Sequence, residues 1–460
     1  MAGLSNSPSS SGFCNITLEM NRQLLRHLQQ FLITIPLLFL IVYIYSRQRT
    51  SSSSASNDIQ IKHNIGSCGG FNPANVSDEL NSIIGESRSR TNQEIHEFVC
   101  SIMNHDMSLT AKLDCPVAID QRYRDLRIQP VILAHSQIQF YFALDLHQAV
   151  HIILPLMGAI MQVIRHLGPE YCALSIVEGR STDGTYEILT GLTSELKALG
   201  VPYFLSQSSR DPLAPGENRI TALAELRNKA LQPLFEGSAR LFSRRRYRIS
   251  SDAIVIFLND IVLCPEDILE LVYQHRLQSA SMTCAFDWNG QASSFYDSWV
   301  SRSMSGNLFF EISHDAQHWL AKDMFFDDPP SAARYEKLLP LQVYSCWGGM
   351  VTLDAAPFIK REVSFRSSAA GECYMGEPTL LGKDLWRIGR GKILAVPSVN
   401  VAYEYVSTRE AKDSRGYVHN IVHNSTTYLK VEELVKWQKK PPPVVKCMPI
   451  FNQQWWVDSL

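Results

Sequence analysis

The chain has 460 residues, a formal net charge of -2 and 19% charged residues. That length supplies a large core, so one catalytic domain of above-average size with appendages is expected. The near-neutral balance removes any general electrostatic case for nucleic acid, and Arg244-Arg245-Arg246 is the only tight basic cluster.

Residues 1–30 are polar, and residues 31–45 then form a nearly unbroken apolar run that Ser46 extends. A buried helix, a cleaved signal peptide and a signal anchor compete for this run. Its isolation between Ser-rich segments weakens the first, and its long polar leader weakens the second. A signal anchor over residues 31–46 is therefore expected, with Tyr43 and Tyr45 at one interface and a short span suited to a thin bilayer. Residues 47–94 read as a flexible stem. Glycosylation sequons stand at Asn15, Asn75 and Asn424.

The ten cysteines show no CxxC pair and no zinc spacing. If the body is lumenal, Cys68, Cys100 and Cys115 are the better disulfide candidates. Cys172, Cys264 and Cys284 lie in or beside apolar runs and read as buried thiols. The odd number after the anchor leaves at least one cysteine without an intramolecular partner.

An α/β pattern begins near Arg127. Residues 128–133 and 151–154 read as strands, and residues 158–167 as a helix closed by Gly168-Pro169. A strand over residues 172–177 ends at Glu178. Asp183-Gly184-Thr185 then starts a helix that Gly200 stops, and residues 203–205 form a short strand. Residues 218–235 form an amphipathic helix with Ile220, Leu223, Leu226 and Leu234 on one face. Residues 254–258 read as a strand buried on both faces, closed by Asn259-Asp260. Pro265 opens the next helix, with Glu266 and Asp267 in its first turn, where the dipole favours negative charge. This alternation predicts a mainly parallel sheet flanked by helices. Beyond Cys284 the pattern turns irregular and aromatic, and residues 411–460 read as a polar tail.

Three strand or helix ends carry the polar groups that a nucleotide site needs. Glu178 directly follows a strand, and Asp183 stands at a helix start, where it also serves as an ordinary N-cap worth about 1 kcal/mol. Arg219 and Arg227 lie about two turns apart on one helix, placed for a diphosphate or for ordinary surface ion pairs. Asp260 is delivered by a buried strand to the sheet edge where open α/β folds hold ligands; turning the chain is its plainer role.

In this order the motifs resemble a GT-A glycosyltransferase. Phe295-Tyr296-Asp297-Ser298-Trp299 with Arg302, Val343-Tyr344-Ser345-Cys346-Trp347-Gly348-Gly349, Phe365-Arg366, Gly371-Glu372-Cys373, Asp384-Leu385-Trp386-Arg387 and Pro397 to Tyr403 narrow the resemblance. They are similar to the fungal capsule-associated α-1,3-mannosyltransferase family over roughly residues 95–410. The resemblance implies a retaining, single-pass type II Golgi membrane enzyme. It implies GDP-mannose as donor with Mn²⁺ or Mg²⁺, and a mannose-containing glycan as acceptor. It places Glu178 and Asp183 at the nucleoside, Arg219, Arg227 and Asn259 toward the donor, and Asp260 on the metal. Asp297 and Glu372 become the catalytic or acceptor-side candidates. The chain departs from the family pattern at Asn259, at Ser303-Met304-Ser305-Gly306 and at Gly348. These departures keep open a membrane-anchored glycan-binding or assembly protein, and a transferase of another nucleotide sugar.

Overall fold

The computed structural model describes Cys68, Arg88 and residues 90–104, 113–116, 119–128, 137–235, 247–289, 294–312, 321–424 and 433–460. Helix α1 (Asn92–Met103) starts from a capping box of Thr91 and Glu94. Strand β1 (Gln137–Leu146), helix α2 (Ile153–Leu167), strand β2 (Cys172–Glu178) and helix α3 (Thr185–Leu199) follow. Then come β3 (Tyr203–Gln207), α4 (Arg219–Ala230), β4 (Arg248–Leu258) and α5 (Pro265–Leu277). The second half supplies β5 (Met282–Trp288), α6 (Pro329–Glu336), β6 (Leu341–Gln342), β7 (Met350–Asp354) and α7 (Glu377–Arg387). It ends in β8 (Ile393–Ala402), α8 (Tyr405–Arg415), α9 (Val418–Asn424) and a hairpin of β9 (Val444–Ile450) and β10 (Gln453–Asp458).

Eight strands form one sheet in the order β3-β2-β1-β4-β7-β5-β8-β6. Strands β1 to β4 pair in parallel, as do β5 and β8. Strand β7 runs antiparallel to both β4 and β5, and β6 antiparallel to β8. Because β7 reverses direction twice over, β5 and β8 point the same way as β1 and β4. The C-terminal ends of all four therefore share one edge. The strand order reverses between β1 and β4, which makes that point of the edge a topological switch point.

Side chains alternate across the sheet. Phe140, Phe142 and Leu144 of β1 pack into a core with α1, α2, α3 and α5. Tyr141 and Ala143 face the other core, with α4 and the aromatic loops after β5. The same period puts Asp145 on the α4 side. The structure is thus α/β with a large, mostly parallel sheet.

Several expectations change. The first strand is β1, and residues 151–154 are no strand: they lead into α2. Their β-branched run imitates one, but Pro155 lies in the first turn of α2, where its missing N–H costs no helix bond. The helix expected over residues 218–235 stops at Ala230, and a separate short turn, Gln232–Phe235, contains the helix-breaking Pro233. The expected strand at 128–133 lies mostly outside the described residues.

The C-terminal segment is no loose tail. Lys412 forms a buried ion pair with Asp267 at 2.7 Å, Cys447 is bonded to Cys373, and the Tyr344 hydroxyl donates to the Ser459 carbonyl at 2.6 Å. Its polar residues are partners for buried groups of the body, which sequence polarity alone reads as exposure.

Four disulfides join Cys68 to Cys100, Cys115 to Cys264, Cys284 to Cys346 and Cys373 to Cys447. Cys264 and Cys284 are therefore bridged, not thiols. A cystine is as apolar as a buried thiol, so an apolar setting does not separate the two. Cys172 stays a buried thiol, and burial pushes its pKa well up. The anchor expected at residues 31–46, Asn15 and Asn75 lie outside the described residues. Among the described residues no helix is long and apolar enough to cross a membrane.

Candidate active site

The switch point opens into a cavity of about 510 Å³. Asp145 reaches it from the end of β1, and Asp260 from the turn after β4. Arg219 and Arg227 approach along α4, Asp297 from a 3-10 turn (Tyr296–Trp299), and Glu377 from the first turn of α7. Asn218 caps α4 by accepting the Ile220 and Thr221 N–H groups, which fixes Arg219 at the helix N-terminus. Trp347 and Tyr403 form the walls.

Arg227 is held on two sides. It pairs with Glu377 at 2.5 Å, and its guanidinium lies 4.0 Å from the Trp347 ring centroid. Its buried Nε has no hydrogen-bond partner among the described residues. Asp297 accepts the Gly348 N–H at 2.6 Å. Behind it stands Asp287, fully buried in β5, which accepts the Asp297 N–H at 3.2 Å and the Tyr403 hydroxyl at 2.8 Å.

The carboxyls of this cavity are all shifted the same way. Burial pushes Asp260 up to about 6, and the nearby Asp145 adds to the shift. Burial likewise raises Asp145 and Glu377, with Arg227 holding both back. Asp297 is raised by burial against the opposing Gly348 N–H, and Asp287 stands well above the usual range because it is buried beside Asp297. Among the described residues lining the cavity, Asp145, Asp260, Asp297 and Glu377 face the two arginines Arg219 and Arg227, with His147 and His151 near enough to ease the Asp260 charge, so acids outnumber lining cations in low dielectric.

Among the described residues, no group of three His, Cys, Asp or Glu is arranged to hold a metal alone. Two hard carboxylates facing one cavity do fit an ion of the Mg²⁺ or Mn²⁺ type, whose remaining ligands come from phosphates and water. The excess negative charge and the unspent Arg227 Nε favour a cation together with an anion.

The cavity brings together Arg219, Arg227, Asn259, Asp260 and Asp297 from the sequence-derived candidates. Asn259 is engaged within the fold: its Oδ1 accepts the Trp347 Nε1–H at 3.0 Å and its N–H donates to Gly349. Glu178 and Asp183 stand on the same strand edge but do not line the cavity. Glu178 accepts the Ser181 N–H at 2.7 Å, and Asp183 accepts from Thr185 and Val150, which clamps the β2–α3 turn. Glu372 also lies off the cavity, paired with Arg366 at 2.6 Å and Lys383 at 3.0 Å. Those partners hold it down at about 2. Asp145, Asp287 and Glu377 were not foreseen. Asp145 and Asp287 carried the signal that exposed Asp260, a lone acid at the end of an apolar strand.

Sequence comparison supplies the family. Residues 139–384, more than half of the chain, match the family described as Cryptococcal mannosyltransferase 1. The chain belongs to the cryptococcal mannosyltransferase 1 family. It is also similar to the alpha-1,3-mannosyltransferase CMT1 of Cryptococcus neoformans var. neoformans serotype D, with 33% identity over 311 residues. The match covers 64% of this chain and 64% of that relative's length. Among solved structures, S. aureus TarS 1-349 aligns over 58% of this chain and 60% of its own, with 12% identity and a TM-score of 0.32. The mannosyltransferase PcManGT of Pyrobaculum calidifontis, in complex with GDP-Man and Mn²⁺, aligns over 75% and 71%, with 10% identity and a TM-score of 0.32. Likeness at that level assigns no ligand to this family member.

Proposed function

We propose that this protein is a GT-A-like glycosyltransferase that moves mannose from GDP-mannose to a mannose-containing glycan, with retention and in α-1,3 linkage. The observation that carries this reading is the cavity at the switch point, where two arginines and an excess of raised-pKa carboxylates converge. Membership of a mannosyltransferase family supports the sugar and the reaction class.

Arg219, at the N-terminus of α4, and Arg227 take the donor diphosphate; the helix dipole and the unspent Arg227 Nε favour an anion there. Asp260, with Asp145 beside it, would hold Mn²⁺ or Mg²⁺. When bound, that ion neutralises charge on the departing nucleoside diphosphate. Trp347 and Glu377 lock the Arg227 guanidinium, so it needs no reorganisation as charge develops. Asp297 faces the cavity and orients the acceptor hydroxyl, accepting its hydrogen bond on the side from which the nucleotide leaves. Asp287 supports Asp297 from behind as a positioning residue. Glu178 and Asp183 shape the neighbouring β2–α3 turn toward the nucleoside. Glu372 serves the fold.

The same reading makes the protein a type II Golgi membrane protein, anchored through residues 31–46 with its body in the lumen. Four disulfides suit that oxidising compartment. Incubation of the lumenal body with GDP-mannose, Mn²⁺ and α-linked mannosyl acceptors tests the activity. GDP release that requires metal and acceptor is expected. Absence of GDP release across a panel of mannosyl acceptors, with GDP binding intact, would favour a glycan-binding protein instead.

A further inference from the structure

The family match ends at residue 384, but the cavity does not. Chain beyond that point returns to it at Tyr403, just after β8, and at Phe451, in the turn between β9 and β10. The hairpin that carries Phe451 is rigidly mounted. The Lys446 N–H donates to the Gly306 carbonyl at 2.7 Å, the Trp299 Nε1–H to the Met448 carbonyl at 2.5 Å, and the Gln454 amide to the Ile312 carbonyl at 3.0 Å. Disulfide Cys373–Cys447 pins the same strand.

Arg302 joins this hairpin to the turn bearing Asp297. Its guanidinium is fully buried with no carboxylate partner among the described residues; burial lowers its pKa to about 9. It donates to the Trp299 and Ser301 carbonyls on one side and to the Lys446 carbonyl, at 2.6 Å, on the other. The hairpin and the Asp297 turn are therefore one wall.

That wall is aromatic and partly open. Tyr296 is 46% exposed and packs at a tilt of 54° against Tyr403 with centroids 4.8 Å apart; Tyr374 is 38% exposed and packs, also tilted, on Trp299 at 6.1 Å. Tyr296, Trp299 and Phe451 all line the cavity beside Asp297. A pyranose has an apolar C–H face ringed by hydroxyls. Rings next to carboxylates match both parts: the ring takes the face and the acid takes a hydroxyl.

We propose that Phe451, Tyr296 and Trp299 form the acceptor-sugar platform, on which a mannosyl residue stacks with a hydroxyl directed to Asp297. The identity of the sugar rests on the mannosyl-transfer reading. The platform makes the C-terminal hairpin, outside the family match, a determinant of acceptor binding.

The test is binding of α-linked mannobiose to the full chain, by calorimetry or saturation-transfer NMR. Phe451→Ala is compared with wild type and with the conservative Phe451→Tyr, after thermal melts confirm folding. Phe451→Ala is expected to weaken mannobiose binding by about tenfold, consistent with losing one ring contact, while Phe451→Tyr restores it and GDP affinity in Mn²⁺ stays within about twofold. Equal binding by all three proteins, or no mannobiose binding by wild type, overturns the proposal. So does a parallel loss of GDP affinity, which would make the rings a nucleobase platform. A wild-type chain that binds mannobiose through Phe451 but does not bind GDP keeps the platform and removes the transferase reading.

Discussion

Glu372 and Asp260 are both partly buried acids, and their surroundings act on them in opposite directions. Glu372 meets Arg366, Lys383 and Arg387, and its pKa falls to about 2. Asp260 meets burial and Asp145, and its pKa rises to about 6. The first cluster carries its own counter-charges, so it is complete as folded and reads as a strut. The second leaves several carboxylates facing two arginines, an arrangement that costs folding stability unless a cation joins it. Incomplete neutralisation, more than residue type, separates the candidate ligand site from structural ion pairs.

The largest expected effect comes from removing the unneutralised acid. Asp260→Asn should lower GDP release from GDP-mannose by roughly a hundredfold or more. The metal-free variant should melt no lower than wild type, because a carboxylate penalised by burial has gone. Wild-type turnover in this variant would erase the contrast with Glu372.

Gly348→Asn probes the loop that holds Asp297. Gly348 has φ +66, and an added Cβ would sit 1.9 Å from the Ala285 carbonyl oxygen. A loss of more than about 2 kcal/mol in urea denaturation is expected. Unchanged stability would mean that the loop yields freely and that the Gly348 N–H does not fix Asp297.

Glu372→Gln acts on the neutralised cluster. With the folded pKa lowered from 4.5 to about 2, the loss at neutral pH should be on the order of 1–2 kcal/mol, less than the full shift implies because solvent screens this partly exposed cluster. A depressed carboxyl pKa stabilises the fold above the unfolded value and stops doing so as pH falls through the folded value. The stability gap between wild type and variant should therefore close as pH drops from about 4.5 to about 2. GDP affinity of the folded variant should be unchanged; a loss would move Glu372 into the site. The smallest effect is a rise of a few degrees in Tm on adding Mn²⁺, present in wild type and missing in Asp260→Asn.

Much of the first half was legible because local chemistry sets it. Cys172–Glu178, the α3 stop at Gly200, the Asn218 cap and the Pro265 helix start all follow from residues within a turn of each element. Strand β1, Gln137–Leu146, is not among the strands expected from the sequence, which were placed at 128–133 and 151–154 on either side of it. The cavity was half legible. Asp260, Arg219 and Arg227 announce themselves at element ends, whereas Asp287 matters only because the sheet sets it behind Asp297. Glu372 looked like Asp260 in the sequence, since its neutralising partners Arg366 and Lys383 come together only in the folded chain. The disulfide partners and the hairpin's return to the cavity are likewise long-range facts, invisible to spacing.

The most direct test of the proposed under-neutralised donor site is calorimetric titration of GDP into the protein, with Mn²⁺ and then with chelator, for wild type and Asp260→Asn. Metal-dependent GDP binding in wild type, lost in the variant while its melt is unchanged, is the predicted result. GDP binding of equal strength with chelator, or equal in both proteins, would contradict it.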